Sequence, residues 1–178
     1  MRWRSLGSGW HPGPVWLVAP GLVVGDAQAG ARALAGAAPS SEAQPFSGVV
    51  SLCCLPQGVA PRGPTRLETE WLHLPIQDGG RGEHELESAL AVALPFIRRR
   101  RGRGAVLVHC AAGMSRSVAV AAAVLCEDGL GLREALQQIA EAKARALGLP
   151  AARAEEAIAV ARELRACLER LYGTVTRR

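Results

Sequence analysis

The stretch from Ala105 to Leu125 constrains this chain more than any other. An apolar β-like run, Ala105-Val106-Leu107-Val108, leads into His109-Cys110-Ala111-Ala112-Gly113-Met114-Ser115-Arg116-Ser117. A helix-like run, Val118–Leu125, follows at once. A strand, a small-residue loop and a helix in that order make an anion cradle, because the loop amides and the helix N-terminus converge on one phosphate. Cys110 stands at the loop entrance and Arg116 six residues later. A nucleophile and a phosphate clamp on one loop point to phosphate-ester hydrolysis through a cysteinyl-phosphate.

A free thiol with a pKa of about 8.5 is mostly un-ionised at neutral pH, and amides, a helix N-terminus and an arginine can lower that value by roughly 2–3 units. Full ionisation raises the reactive fraction by only about 30-fold, so most of the acceleration must come from binding the phosphoryl oxygens in the transition state. The planar fork of Arg116 holds two such oxygens. Gly113 lets the backbone turn sharply and approach the anion. Backbone and side chains of Ala111, Ala112, Gly113, Met114, Ser115 and Arg116 form the expected phosphate site. Ser115 or Ser117 can hydrogen-bond the sulfur. His109, at the strand end, is expected to fix the loop through its ring N–H.

These residues resemble the signature loop of cysteine-dependent protein tyrosine phosphatases, His-Cys-x5-Arg-Ser/Thr. The run Ala112-Gly113-Met114-Ser115-Arg116-Ser117 is most similar to the dual-specificity subgroup. The resemblance implies Cys110 as nucleophile, Arg116 as phosphate binder and Ser117 as the hydroxyl that aids breakdown of the intermediate. It also implies a general acid on a loop about 30 residues before the cysteine. Asp78 lies 32 residues before Cys110, after Trp71–Ile76 and ahead of Gly79-Gly80-Arg81-Gly82. An Asp-Gly pair is also an ordinary turn former. Glu83, Glu85 and Glu87 are the competitors for the acid, although carboxylates there suit the start of a helix.

The fold implied is α/β: one domain whose central, mostly parallel, twisted sheet of about five strands carries helices on both faces. Strands are expected at Val15–Val18, Leu22–Val24, Val49–Leu55, Leu67–Leu74 and Ala105–His109, the first two joined by a Pro20-Gly21 turn. Asp26 can cap a helix over Ala27–Ala35. Further helices are read at Leu86–Arg100, with a kink at Pro95, after the loop to about Glu127, at Leu132–Ala146, and over Ala151–Leu171. Gly36–Pro45 and Pro56–Pro64 read as loops. Residues 1–13 are expected to form a loose arm, 14–172 the catalytic domain and 173–178 a tail. The Arg-Pro and Pro-Asn elements usual before the last helix of the family are replaced by an Ala/Arg-rich stretch, Ala144–Arg153. The pocket's far side therefore lacks its familiar support.

Charge and cysteines narrow the setting. The net charge is +5, with much of the excess in Arg98-Arg99-Arg100-Arg101-Gly102-Arg103. That run caps the helix before Ala105 or attracts an acidic partner; no aromatics are interleaved with it for base stacking. Five cysteines, an odd count, and no signal peptide fit a reducing compartment, the cytoplasm or also the nucleus. The apolar run Val15–Val24 is too short to span a bilayer. No metal-ligand spacing occurs and no cofactor is expected; His73 reads as an edge-strand residue. The expected partner is a phosphorylated protein, bearing phosphotyrosine, phosphoserine or phosphothreonine; the alternative substrate is a non-protein phosphate ester. Uncharged side chains at Ala111, Ala112, Met114 and Ser115 argue against a polyphosphorylated lipid. A second, looser likeness is to the phosphatase-like C-terminal domain of initiator-tRNA phosphoribosyl transferases, a non-enzymatic RNA-recognising module. Cys53 and Cys54 end an expected sheet strand, where either can form a reversible disulfide with Cys110 or simply fill the core.

Overall fold

The computed structural model describes residues 15–36, 46–54, 69–77 and 83–173. The expected arm at 1–13, the loop at 56–64, Asp78 and the tail beyond Gly173 lie outside the described residues.

Five strands form one sheet: β1 (Val15–Ala19), β2 (Leu22–Gly25), β3 (Gly48–Ser51), β4 (Glu70–His73) and β5 (Val106–His109). Their order is β1-β2-β5-β3-β4. Only the β1–β2 pair is antiparallel. Every residue of β2, β3 and β5 is buried, as expected of parallel strands covered on both faces. Register sorts their side chains. Val23, Leu107 and Val49 align across three strands and pack with Ala29, Ala33, Leu34 and Phe46 on the side of α1 (Ala27–Leu34). Val24, Val108 and Val50 align one residue on and face the larger core.

That larger core lies under α2 (Glu83–Arg101), α3 (Arg116–Glu127), α4 (Leu132–Ala146) and α5 (Arg162–Tyr172). Helix α3 is buried all round, from Arg116 to Leu125. Its alanines let α2, α4, α5 and the sheet approach it closely. Asp26 caps α1 as expected, its Oδ1 accepting from the Ala29 amide at 2.8 Å. Glu83 opens α2, in keeping with carboxylates at the positive helix end.

Two expectations need correction. The strand read over Val49–Leu55 ends at Ser51; Leu52 still donates to the His109 carbonyl at 2.9 Å, but the chain bends at Cys53. The helix read over Ala151–Leu171 is two pieces. A 3-10 turn, Ala151–Ala157, gives way to extended backbone at Ile158 (φ −124°, ψ 150°), and α5 starts only at Arg162. Helix periodicity continues through this break, yet the Ala159 amide donates to the Met114 carbonyl and the Ala161 amide to Ser115 Oγ, both at 3.0 Å. Bonds to the Cys110–Arg116 loop displace helical ones, at a point where β-branched Ile158 and Val160 weaken the helix.

Candidate active site

The C-terminal ends of β5 and β3 meet at the loop from Cys110 to Ser115, where parallel α/β sheets place their ligands. Gly113 has φ +63°, and a Cβ there would lie 2.6 Å from Trp16 Cη2 and 2.8 Å from the Gly25 carbonyl. Both the backbone conformation and the space demand glycine.

The loop carbonyls are tied outward. Ala111 accepts from the Ala27 amide at 3.2 Å and Met114 from Ala159. Gly113 accepts from Lys143 Nζ at 3.0 Å. Peptide groups whose oxygens point out present their N–H groups on the opposite side. The N–H groups so fixed are those of Ala112, Met114 and Ser115; separately, the amides of Gly113 and Ser117 hydrogen-bond Cys110. Ser115 holds the N-cap position of α3 but makes no side-chain cap bond. Its oxygen serves Ala161 instead, which leaves the first amides of α3 for an anion.

Cys110 is 1% exposed, and its Sγ lies 3.2 Å from Ser117 Oγ. Burial pushes the thiol pKa up and is the largest single influence. The Ser117 hydroxyl, the Ser117 and Gly113 amides and the Arg116 charge together outweigh it and hold the thiol below its ordinary value. Between the two serines left open by the sequence, the sulfur is met by Ser117. Arg116 is buried, and its Nη1 donates to the carbonyls of Leu52 at 3.2 Å and Ile76 at 3.0 Å. The guanidinium thus links the phosphate loop to the segment two residues short of Asp78. Asp78 lies outside the described residues; Glu85, one of its competitors for the acid, accepts from the Gln77 amide at 3.1 Å.

His109 is fully buried, with Nε2 2.6 Å from Ser51 Oγ. Burial lowers its pKa to about 4, against weaker opposing effects of the Cys110 backbone and the Asp26 charge. It is therefore neutral at physiological pH and suited to holding the loop. Cys53 is buried and Cys54 exposed, and the five cysteines form no disulfide with one another. His73 ends the edge strand β4, and among the described residues no cluster of metal-binding side chains occurs.

Two loop supports escape a reading of motifs. Trp16 of β1 packs on Gly113. Lys143, 5% exposed, stands over the Trp16 ring at 4.7 Å while bonding the Gly113 carbonyl. A lysine in register with Leu132, Leu136 and Ile139 on the apolar stripe of α4 is the signal that could have found it. With the bonds from Ala159 and Ala161, it supplies the far-side support that the missing family elements left open. The arginine run is engaged within the domain. Arg98 pairs with Glu127, Arg99 and buried Arg100 with Glu70, and Arg101 with Asp128.

Residues 61–150 match the family described as dual specificity phosphatase, catalytic domain. The chain belongs to that family. This phosphatase is similar in structure to a mouse putative dual specificity phosphatase solved with zinc tungstate (26% identity, TM-score 0.64, covering 96% of this chain and 94% of that one). A variant of human DUSP28 is similar at 25% identity and TM-score 0.64, covering 92% of this chain and 97% of that one. DUSP15, at 22% identity and TM-score 0.60, covers 92% and 90% and shows the shared fold. The comparison with curated proteins gives no match. The activity is that of a protein tyrosine/dual-specificity phosphatase, and its sheet and helices have the expected phosphatase-like arrangement. Among the described residues no helix is long and apolar enough to cross a membrane.

Proposed function

We propose that this phosphatase hydrolyses phosphotyrosine, phosphoserine or phosphothreonine in proteins through a cysteinyl-phosphate on Cys110. The Cys110 thiolate attacks phosphorus as the P–O bond to the substrate breaks. Asp78 gives its proton to the departing oxygen. Water then attacks the phosphoenzyme, its proton passes to the Asp78 carboxylate, and the thiolate leaves with the Ser117 hydroxyl hydrogen-bonding the sulfur. Arg116 and the amides of residues 111–116 carry the charge of the equatorial oxygens throughout.

The observation that carries this reading is the surroundings of the sulfur. A buried thiol kept below its ordinary pKa by a hydroxyl, two amides and an arginine is unsuited to a merely structural cysteine. Tungstate, present with the mouse neighbour, is a tetrahedral oxyanion like phosphate. The loop's uncharged side chains favour an isolated phosphoryl group over a cluster of them. The tRNA-binding alternative finds no support in Arg98–Arg101, whose charges are paired with Glu70, Glu127 and Asp128. We take the catalytic domain as residues 14–172 and its setting as a reducing compartment, cytoplasmic or nuclear, where the thiol stays reduced.

The test is Cys110→Ser. Turnover of an aryl phosphate should vanish while oxyanion binding persists, since a serine hydroxyl is far harder to ionise and the cradle remains. Arg116→Lys should be severely impaired, because a point charge cannot reproduce the fork. Substantial turnover by the serine variant would remove the cysteinyl-phosphate.

A further inference from the structure

A line of hydrogen bonds crosses the sheet beneath the nucleophile. The indole Nε1 of Trp71, on β4, donates to Ser51 Oγ at 2.8 Å. Ser51, at the end of β3, faces His109 on β5 with Oγ 2.6 Å from Nε2. The register brings these together, since Ser51 pairs with His73 on one side and with His109 on the other. His73 stacks on Trp71, ring centroids 5.3 Å apart, and its Nε2 meets the Cys53 carbonyl at 3.2 Å. The indole is therefore held in place from the outside.

The donors and acceptors fix a direction. An indole N–H can only donate, so Ser51 Oγ accepts from Trp71. Ser51 and His109 are both fully buried, and the serine proton needs an acceptor. His109 Nε2 is the one it faces. An accepting Nε2 leaves the proton of the neutral imidazole on Nδ1. Nδ1 has no partner at full hydrogen-bond geometry, but the Cys110 main chain beside it favours a proton on the ring. The opposite tautomer would strand the serine proton and turn a bare lone pair toward Cys110.

We propose that Trp71 and Ser51 are positioning residues for Cys110: they hold His109 as the Nδ1–H tautomer, and that proton orients the peptide carrying the thiol. The assignment rests on the reading of Cys110 as nucleophile, but its measurement does not depend on turnover. The relay unites an edge strand, a central strand and the loop, and Ser51 within it is fully buried.

The experiment uses the full chain labelled with 15N in histidine. Long-range proton–nitrogen correlation should show His109 with a protonated Nδ1 and a bare Nε2. Ser51→Ala should mix the tautomers and raise the midpoint of Cys110 alkylation by iodoacetate against pH. A rise of one unit lowers the alkylation rate below both midpoints by about tenfold. Ser51→Thr should restore both readouts, and Trp71→Phe, which keeps the ring but removes the N–H, should move them in the same direction as alanine. A wild-type His109 protonated on Nε2 overturns the relay outright. So does a Ser51→Ala alkylation profile equal to wild type; if that variant fails to fold, the same comparison is decided on Trp71→Phe. Loss of the cysteinyl-phosphate mechanism would show instead as turnover by Cys110→Ser, with the tautomer unaffected.

Discussion

Replacing Gly30 by alanine tests how tightly α1 closes on the loop. In an ordinary helix interior this change stabilises by about 0.8–1 kcal/mol, because alanine has the higher helix propensity. Gly30 is not ordinary. A Cβ there would overlap Nε2, Cε1 and Cδ2 of the His109 ring. The ring cannot retreat freely, since it is fully buried and bonded to Ser51 on the neighbouring strand. Overpacking of this kind costs about 1–3 kcal/mol, and weakening the Ser51 bond adds about 1 kcal/mol. The clash therefore outweighs the propensity gain, leaving a net loss of about 1–3 kcal/mol. For a domain of this size that lowers Tm by roughly 2–12 °C. Denaturant titration of wild type and variant measures it. The decisive arm is a cycle with His109→Ala: once the imidazole is gone, Gly30→Ala should become neutral or stabilising. A Gly30→Ala protein more stable than wild type, with His109 intact, would refute the reasoning.

Four further expectations follow from the same geometry. Asp78→Asn should slow hydrolysis of alkyl or phenyl phosphates by roughly 10²–10⁴ and much less for an aryl phosphate with an acidic phenol; equal losses across leaving groups would move the search to Glu83, Glu85 and Glu87. Mild peroxide should link Cys110 to Cys53 or Cys54, read as a cross-linked peptide by mass spectrometry; finding only over-oxidised Cys110 removes both partners. His109 has its pKa lowered to about 4 from 6.5, so the unfolded chain binds the extra proton first and stability falls as pH drops through that window, by about 3 kcal/mol in total; His109→Asn should lack this slope in unfolding measured from pH 7 to pH 4. Lys143→Met leaves the buried Gly113 carbonyl without its donor, at about 1–3 kcal/mol, and should raise the midpoint of Cys110 alkylation against pH; an unchanged midpoint would show that Lys143 only packs.

Much of the site was legible because its determinants are local. The strand–loop–helix around Cys110, the cap at Asp26 and the bounds of α4 at Leu132 and Ala146 all follow from short-range pattern. The break between Ala157 and Arg162 was not legible, since it is set by bonds to Met114 and Ser115, some 45 residues earlier. Arg100 looked like one solvated cation in a run of them. Its Nε in fact donates to the Ser47 carbonyl at 2.7 Å, and it is 2% exposed. Nothing in an arginine-rich helix end distinguishes the one that turns inward. The roles of Ser51 and Trp71 depend on strand order, which places β5 beside β3 and β3 beside β4; residues 20 and 58 apart in sequence become neighbours only then.

The loop owes little of its shape to its own side chains. Ala111 and Ala112 have only methyl groups, and Gly113 has none. What fixes the loop is that its carbonyls are claimed by α1, by Lys143 on α4 and by the extended link before α5. Each tie fixes the orientation of one peptide, and with it the N–H of Ala112, Met114 or Ser115, before any phosphate arrives. A cradle turned in advance spends no binding energy on reorientation as charge develops, which is where electrostatic catalysis gains most. The diversion of Ser115 to Ala161 works in the same direction, because a conventional cap would consume an amide that the anion needs. The lysine on the apolar stripe of α4 and the extended link before α5 are thus the places from which the loop's far side is held. Changes at Lys143 or in the backbone at Ala159 act on peptide orientation, whereas trimming the Met114 side chain leaves every one of those ties in place.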